Sequence, residues 1–282
     1  MIIGAQKAGT TSLFDYLKVH PDIAVADVKE VNYFSFKYER GLDWYSNNFD
    51  TSRSIALDAS PQYLHEPKVA ERLAKDVPDA FLVCVLRDPI ERALSNYRFN
   101  LSRGLQNPDH SFSEVLKTPF GEETYLRKGL YSEQLARFAE HKQRNRLMLI
   151  NFGCIKERPV FVLAKICEFV GIPADDIENF NSRISNETAA VGGLPAKMIF
   201  RAIQLKNANK LLYEKLPRWV HRALHQLKEM AAGFGGEPRR CQTHLDEETL
   251  RYLKAYFAED VAQLASDYPG SFSWASRYVE DT

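Results

Sequence analysis

The 282-residue chain lacks any apolar run near the roughly 18 residues that a membrane-spanning helix needs. Cysteine is scarce. Cys84, Cys154, Cys167 and Cys241 stand far apart with no CxxC pair, so nothing marks a disulfide framework or a zinc site. Cys84 lies in an apolar run and Cys167 in an amphipathic one, and both read as small core residues in a reducing, cytoplasmic setting. A surplus of one charge is missing as well. Lys and Arg number 37, as do Asp and Glu, whereas a dedicated nucleic-acid binder needs a basic excess to displace counterions. The opening Met1-Ile2-Ile3-Gly4 has neither the charged start nor the long apolar stretch of a signal peptide. It reads as the inside of a first strand that is either short or preceded by further residues. What remains is ordinary for a globular protein, 45% apolar and 26% charged, which is ample for one large core.

Short apolar runs alternate with helical patterns through the first half. Residues 1–3, 54–58, 80–86 and 147–152 read as strands, and 10–20, 68–75, 89–104, 131–144 and 159–171 as helices. Pro89 starts one helix and Gly171 closes another. Such alternation predicts an α/β fold, a mostly parallel sheet flanked by helices on both faces. Residues 194–232 are helical in pattern and rich in Lys and Arg, 233–245 form a loop dense in Gly, Pro and Arg, and 246–266 return to an amphipathic helix with Leu250, Leu253, Phe257, Val261 and Leu264 on one face. With no repeat and no linker, the reading is a single domain over 1–282 with a C-terminal helical extension.

Gly4-Ala5-Gln6-Lys7-Ala8-Gly9-Thr10-Thr11-Ser12 follows the first strand and opens a helix. That context turns backbone N–H groups and the positive helix end toward an anion. A nucleoside-triphosphate loop reads GxxxxGK[ST], with lysine after the second glycine and a hydroxyl holding Mg²⁺. Here Thr10 follows Gly9 and the lysine stands earlier, at Lys7, where it can reach an oxygen bridging two anionic groups. The alternative is a glycine turn that binds nothing. A second segment, Leu86-Arg87-Asp88-Pro89-Ile90-Glu91-Arg92-Ala93-Leu94-Ser95-Asn96-Tyr97, leaves the strongest strand for a helix. Arg87 stands at the carboxyl end of the strand, where open α/β sheets bind ligands. Asp88 can cap the helix, and a guanidinium fork with the Ser95 hydroxyl suits a phosphate monoester. Arg92 is expected to pair with an acid on the surface. The plainer alternative is a capped helix with scattered charges.

Together the two segments resemble the 3′-phosphoadenosine 5′-phosphosulfate (PAPS) dependent sulfotransferases, a P-loop-type fold: residues 4–12 are similar to the 5′-phosphosulfate loop and 87–97 to the 3′-phosphate motif. Lys29-Glu30-Val31-Asn32-Tyr33-Phe34, Gly41-Leu42-Asp43-Trp44-Tyr45, Ala59-Ser60-Pro61-Gln62-Tyr63, Gly129-Leu130-Tyr131-Ser132-Glu133-Gln134-Leu135 and the closing Leu264…Trp274 pattern are similar to segments of the heparan sulfate type and its bacterial relatives. The resemblance implies that Lys7 contacts the bridging oxygen and sulfuryl group, with Ala8, Gly9, Thr10, Thr11 and Ser12 around the phosphate. Arg87 and Ser95 then hold the 3′-phosphate, and Arg239 or Arg240 closes over the cofactor. Glu30 matches the general base. Asn32 stands where several heparan-type enzymes carry histidine, and Ala59 where they carry lysine. Asn32, Trp44, Tyr63, His65 and Tyr97 are the candidate acceptor contacts, although Trp44, Tyr45, Tyr63 and Tyr97 fit core packing equally well.

The implied reaction is in-line transfer of a sulfuryl group from PAPS to an acceptor hydroxyl or amine, leaving the 3′,5′-bisphosphate (PAP), without a metal. A saccharide is the favoured acceptor; a lipid, a hydroxy-acyl chain or a small metabolite are alternatives. His221 and His225 have the i, i+4 spacing of a zinc pair but lack an HExxH glutamate. A P-loop nucleotide kinase and a non-catalytic nucleotide-binding module are the rival readings.

Overall fold

The apolar runs of the first half become parallel strands because each is too short and too evenly apolar to present a single helical face. In the computed structural model the described residues are 1–26, 28–174 and 245–278, with 192–193 and 234–235 described by backbone alone. The chain divides into two compact units. The first comprises Met1–Arg92, Leu126–Ser185 and Leu253–Thr282, and the second Ala93–Tyr125 and Asn186–Tyr252.

The first unit carries the sheet. Strand β1 (Ile2–Gly4) leads through a loop into helix α1 (Thr10–Leu17); strands β2 (Ile23–Val25) and β3 (Ile55–Leu57) follow, then helix α2 (Val69–Asp76) and strand β4 (Leu82–Leu86). Helix α3 (Pro89–Ser102) begins in this unit, and strand β5 (Leu147–Asn151) and helix α4 (Pro159–Val170) complete its middle. All pairings are parallel: β1 with β4, β4 with β5, and β2 with β3. A bridge between Ile2 and Ala59 joins the two groups. It is carried by the Ile2 N–H to the Asp58 carbonyl at 2.8 Å and the Ser60 N–H to the Ile2 carbonyl at 3.1 Å. The order is therefore β2-β3-β1-β4-β5, with every carboxyl end on one edge.

Strand β4 is buried along its whole length, and full burial of each branched side chain contributes about 1.5–3 kcal/mol. Cys84 and Cys167 are buried as expected. Gly171, at φ 77°, ends α4 in the left-handed conformation that a C-terminal glycine supplies. Helix α5 (Glu247–Asp267) buries Leu253, Phe257, Val261 and Leu264. Asp260 of α5 is half-buried, and its carboxylate accepts the N–H groups of Ser132 (3.0 Å) and Glu133 (3.1 Å).

Three expectations are corrected. The helix read over 131–144 is two, Tyr131–Ala136 and Ala139–Gln143. Between them the Phe138 N–H bonds the Leu135 carbonyl at 2.9 Å, a tighter i→i+3 turn. Strand β2 escaped notice because three apolar residues after Pro21-Asp22 carry too little periodicity. Arg92, expected on the surface, is fully buried. Asp88, Arg92, Asn96 and Asn100 are all buried at i, i+4 spacing, so the chain buries a polar stripe there as well as an apolar one.

The described part of the second unit packs Tyr97, Phe112 and Tyr125 against one another, with ring centroids 5.0–5.9 Å apart. Ser111 and Glu114 form a reciprocal cap on the short helix Phe112–Leu116. The helical segment expected over 194–232 and most of the loop expected over 233–245 lie outside the described residues, and with them Arg239, Arg240, His221, His225 and Cys241.

Candidate active site

The carboxyl edge of the sheet gathers the loop after β1, Ser60 after β3, Arg87 after β4 and Phe152 after β5, the edge where parallel sheets bind ligands. The loop is anchored by the Ala5 N–H on the Val85 carbonyl, 2.7 Å. Lys7 (φ 67°) and Gly9 (φ 85°) take left-handed backbone conformations before α1 begins. At Gly9 a methyl group would meet the Phe152 ring at 2.6 Å, so the position requires glycine on two counts. Ala8 and Thr10 are buried, while Thr11 and Ser12 open to solvent. Gln6 bonds Gln62, and the Lys128 ammonium donates to Gln6 Oε1 at 2.9 Å and to Gln62 Oε1 at 3.4 Å. Neither Gln62 nor Lys128 was visible as a partner of the loop in sequence.

Arg87 reaches toward the loop. Its guanidinium lies 5.0 Å from the Phe152 ring centroid and 3.5 Å from the Lys7 carbonyl oxygen. Its Nε and Nη2 donate to Glu91 Oε2 at 3.2 and 3.1 Å, and the Tyr131 hydroxyl donates to its carbonyl at 2.9 Å. Asp88 caps α3 as expected, accepting from the N–H groups of Ile90 (2.9 Å) and Glu91 (3.2 Å). It also receives the Tyr278 hydroxyl at 3.0 Å, and burial pushes its carboxyl up from the usual range. Arg87 and Asp88 thus divide the labour: one faces the loop, the other fixes the helix.

Glu30 is exposed and sits at φ 60°, two residues before Asn32 at φ 55°. That conformation costs Glu30 about 1–2 kcal/mol and Asn32 less, because asparagine adopts it readily, and a buried framework holds it. Asp58, 1% exposed, accepts the hydroxyls of Ser60 (2.7 Å), Tyr63 (2.7 Å) and Tyr45 (3.2 Å). Ser60 Oγ in turn accepts the Asn32 N–H at 3.0 Å, and the Tyr63 hydroxyl the Phe34 N–H at 3.3 Å. Burial, opposed by those hydroxyls, pushes the Asp58 carboxyl up. The Asn32 amide donates to the Glu30 carbonyl at 3.0 Å, while its buried Oδ1 has no partner among the described residues. Lys29 donates to Thr11 Oγ1 at 2.7 Å, tying the Glu30 segment to the anion loop. A narrow crevice beside Glu30 is lined by Phe14, Lys29, Asp58 and Ala59.

The remaining candidates separate. Tyr63 is fully buried with its hydroxyl committed to Asp58, so it is framework rather than acceptor lining. Tyr97 belongs to the second unit, where its hydroxyl donates to the His110 carbonyl at 2.7 Å in the aromatic cluster. Ser95, half-buried on α3, also falls in that unit. Trp44 is half-buried, with Arg40 4.8 Å and Lys37 5.6 Å from its ring. His65 is half-buried, and its carbonyl accepts from Arg137 at 3.0 Å. Among the described residues no three His, Cys, Asp or Glu side chains cluster to hold a metal, and no helix is long and apolar enough to cross a membrane.

A parallel α/β sheet with a strand–loop–helix turn after β1 and an arginine after β4 is an α/β fold of the P-loop type. The sulfotransferase domain family matches residues 1–264, and the chain belongs to that family. It is similar to a membrane-associated sulfotransferase of Dictyostelium discoideum, 38% identical over 125 residues, which are 41% of this chain and 26% of that protein. A bifunctional heparan sulfate N-deacetylase/N-sulfotransferase of Mus musculus is 29% identical over 193 residues, 61% of this chain and 22% of that protein. The matches thus span about a quarter of those relatives' length. The structure of a sulfotransferase from Alicyclobacillus acidocaldarius shares the fold, with a TM-score of 0.63 and 24% identity over 94% of this chain and 93% of that one.

Proposed function

We propose that this chain transfers a sulfuryl group from PAPS to the hydroxyl or amine of a saccharide, with Glu30 as general base. The observation that carries the reading is the Lys29–Thr11 contact, which brings the Glu30 segment against the first turn of α1, beside the anion loop. The residues suit the donor. Lys7 and the N–H groups of residues 8–11 meet the phosphosulfate, and Arg87 takes the 3′-phosphate by exchanging its Glu91 partner. Fixed cations and helix amides stabilise charge developing on the departing phosphate. The acceptor lone pair forms the new bond to sulfur. The bond from sulfur to the bridging oxygen breaks with its electron pair left on the 5′-phosphate, and Glu30 takes the acceptor proton. Asn32 Oδ1, a buried acceptor without a partner among the described residues, suits a hydroxyl or amine donor of the incoming saccharide. Relatives named for heparan sulfate point to the same class.

Thermal stabilisation by PAP, beside ATP with Mg²⁺, tests the donor. A ligand at a hundred times its Kd adds about 2.7 kcal/mol. A shift with ATP-Mg²⁺ alone overturns the donor assignment in favour of a kinase. With PAPS and an oligosaccharide bearing free hydroxyls and amines, Glu30→Gln should lower turnover by about 10²–10⁴ with PAP affinity unchanged. Undiminished turnover removes Glu30 from the chemistry.

A further inference from the structure

We infer that Lys29 is a further catalytic residue, whose ammonium holds the sulfuryl oxygens while that group passes from the donor loop to the acceptor. The inference rests on the transferase reading above and assigns a role to a residue that the motifs left without one. Three features of its placement carry it.

The first is position. Lys29 Nζ lies 2.7 Å from Thr11 Oγ1, in the first turn of α1, while the next residue along the chain is Glu30. That contact sets the ammonium on the side of the Glu30 segment that faces the start of α1, between the proposed donor loop and the proposed base. Lys29 also lines the crevice shared by Glu30, Asp58 and Ala59.

The second is the neutrality of its partners. An ammonium carries three donors. The partners of Lys29 among the described residues are one neutral hydroxyl and the face of Phe14, whose centroid is 5.6 Å away. Glu30 and Asp15 lie close enough to favour its charge without bonding it, and Lys18 opposes them.

The third is electrostatic mismatch. A cation at the amino end of a helix sits against the positive end of the dipole. Burial further disfavours the charge and lowers the pKa of Lys29. A bound anion relieves both costs. The sulfuryl oxygens, which carry negative charge in the donor and again in the sulfated product, are the anionic atoms that pass between the loop with Lys7 and the acceptor beside Glu30, and Lys29 supplies them a second cation. Lys29 stays protonated throughout; the acceptor proton goes to Glu30 and the electron pair to the 5′-phosphate.

Lys29→Met and Lys29→Arg, compared with wild type, test this by PAP binding, kcat and the KM for PAPS. PAP lacks the sulfuryl group, so Lys29→Met should leave PAP affinity within about threefold of wild type while kcat falls about 10²–10³-fold, the loss typical of one oxyanion donor. Lys29→Arg, which keeps the charge, should recover at least a tenth of wild-type kcat. An unchanged kcat in Lys29→Met overturns the inference. So does a loss of PAP affinity as large as the loss in kcat, because Lys29 then serves the nucleotide. Failure of Lys29→Arg to exceed Lys29→Met also overturns it. Wild-type protein that neither binds PAP nor turns over removes the transferase reading itself, a result distinct from all of these.

Discussion

Replacing Gly9 by alanine probes the phosphate loop and the arginine beside it with one methyl group. Two costs can be separated. The left-handed backbone at φ 85° costs a non-glycine residue about 1–2 kcal/mol. The new Cβ also lies 2.6 Å from Phe152 Cε2 and 2.8 Å from Cδ2, an overlap that forces the ring aside at about 1–3 kcal/mol. The sum, about 2–5 kcal/mol, lowers Tm by on the order of 10 °C for a chain of this size. Because Arg87 stacks on the same ring, PAP affinity should fall with it. In a Phe152→Ala background the overlap is gone, and Gly9→Ala should then cost only the backbone share. The double-mutant cycle therefore predicts a coupling of about 1–3 kcal/mol, read by thermal and denaturant unfolding. Equal costs in the two backgrounds would show that Phe152 does not press on the loop, and the account of Gly9 would fail.

Further outcomes follow from the surrounding contacts. The Arg87–Glu91 pair is exposed on its Glu91 side and is worth about 0–1 kcal/mol; Glu91→Gln should therefore tighten PAP binding by no more than about fivefold, while Arg87→Met weakens it by about 10–100-fold, both measured by calorimetry. Asp58 binds more protons folded than unfolded just above its ordinary value of 3.8, because burial raises its folded pKa. Stability should accordingly fall as pH rises through that window, and the excess stability of wild type over Asp58→Asn should be greatest at low pH; a pH-independent difference refutes the assignment. Asp260→Ala removes the acceptor of the part-buried Ser132 N–H and of the exposed Glu133 N–H and should cost about 1–3 kcal/mol in chemical denaturation.

What could be read from sequence, and what could not, divides along a physical line. The loop of residues 4–12, the Asp88 cap and the end of α4 at Gly171 are local: a few consecutive residues contain both the donor groups and the backbone freedom the feature needs. Strand β4 was equally legible because burial on both faces writes itself as an apolar run, and β5 carries a similar run although only Ile150 is buried. The side-chain partners were not. Lys29 meets Thr11 across 18 positions and Lys128 meets Gln6 across 122, and only the β2-β3-β1-β4-β5 order brings them together. Tyr63 shows the same limit from the other direction. Its aromatic body suits a sugar-binding face or a core equally, and the choice fell to Asp58, whose buried carboxylate needs the hydroxyl. That need also explains how an exposed glutamate keeps a strained backbone. Asp58 grips Ser60 and Tyr63, these grip the Asn32 and Phe34 N–H groups, and Glu30 is left facing solvent on a segment that cannot relax. Under the proposed role of Glu30, that framework fixes the backbone from which the carboxylate is presented, at φ 60°, before the acceptor arrives, and leaves only side-chain rotation to be restricted on binding.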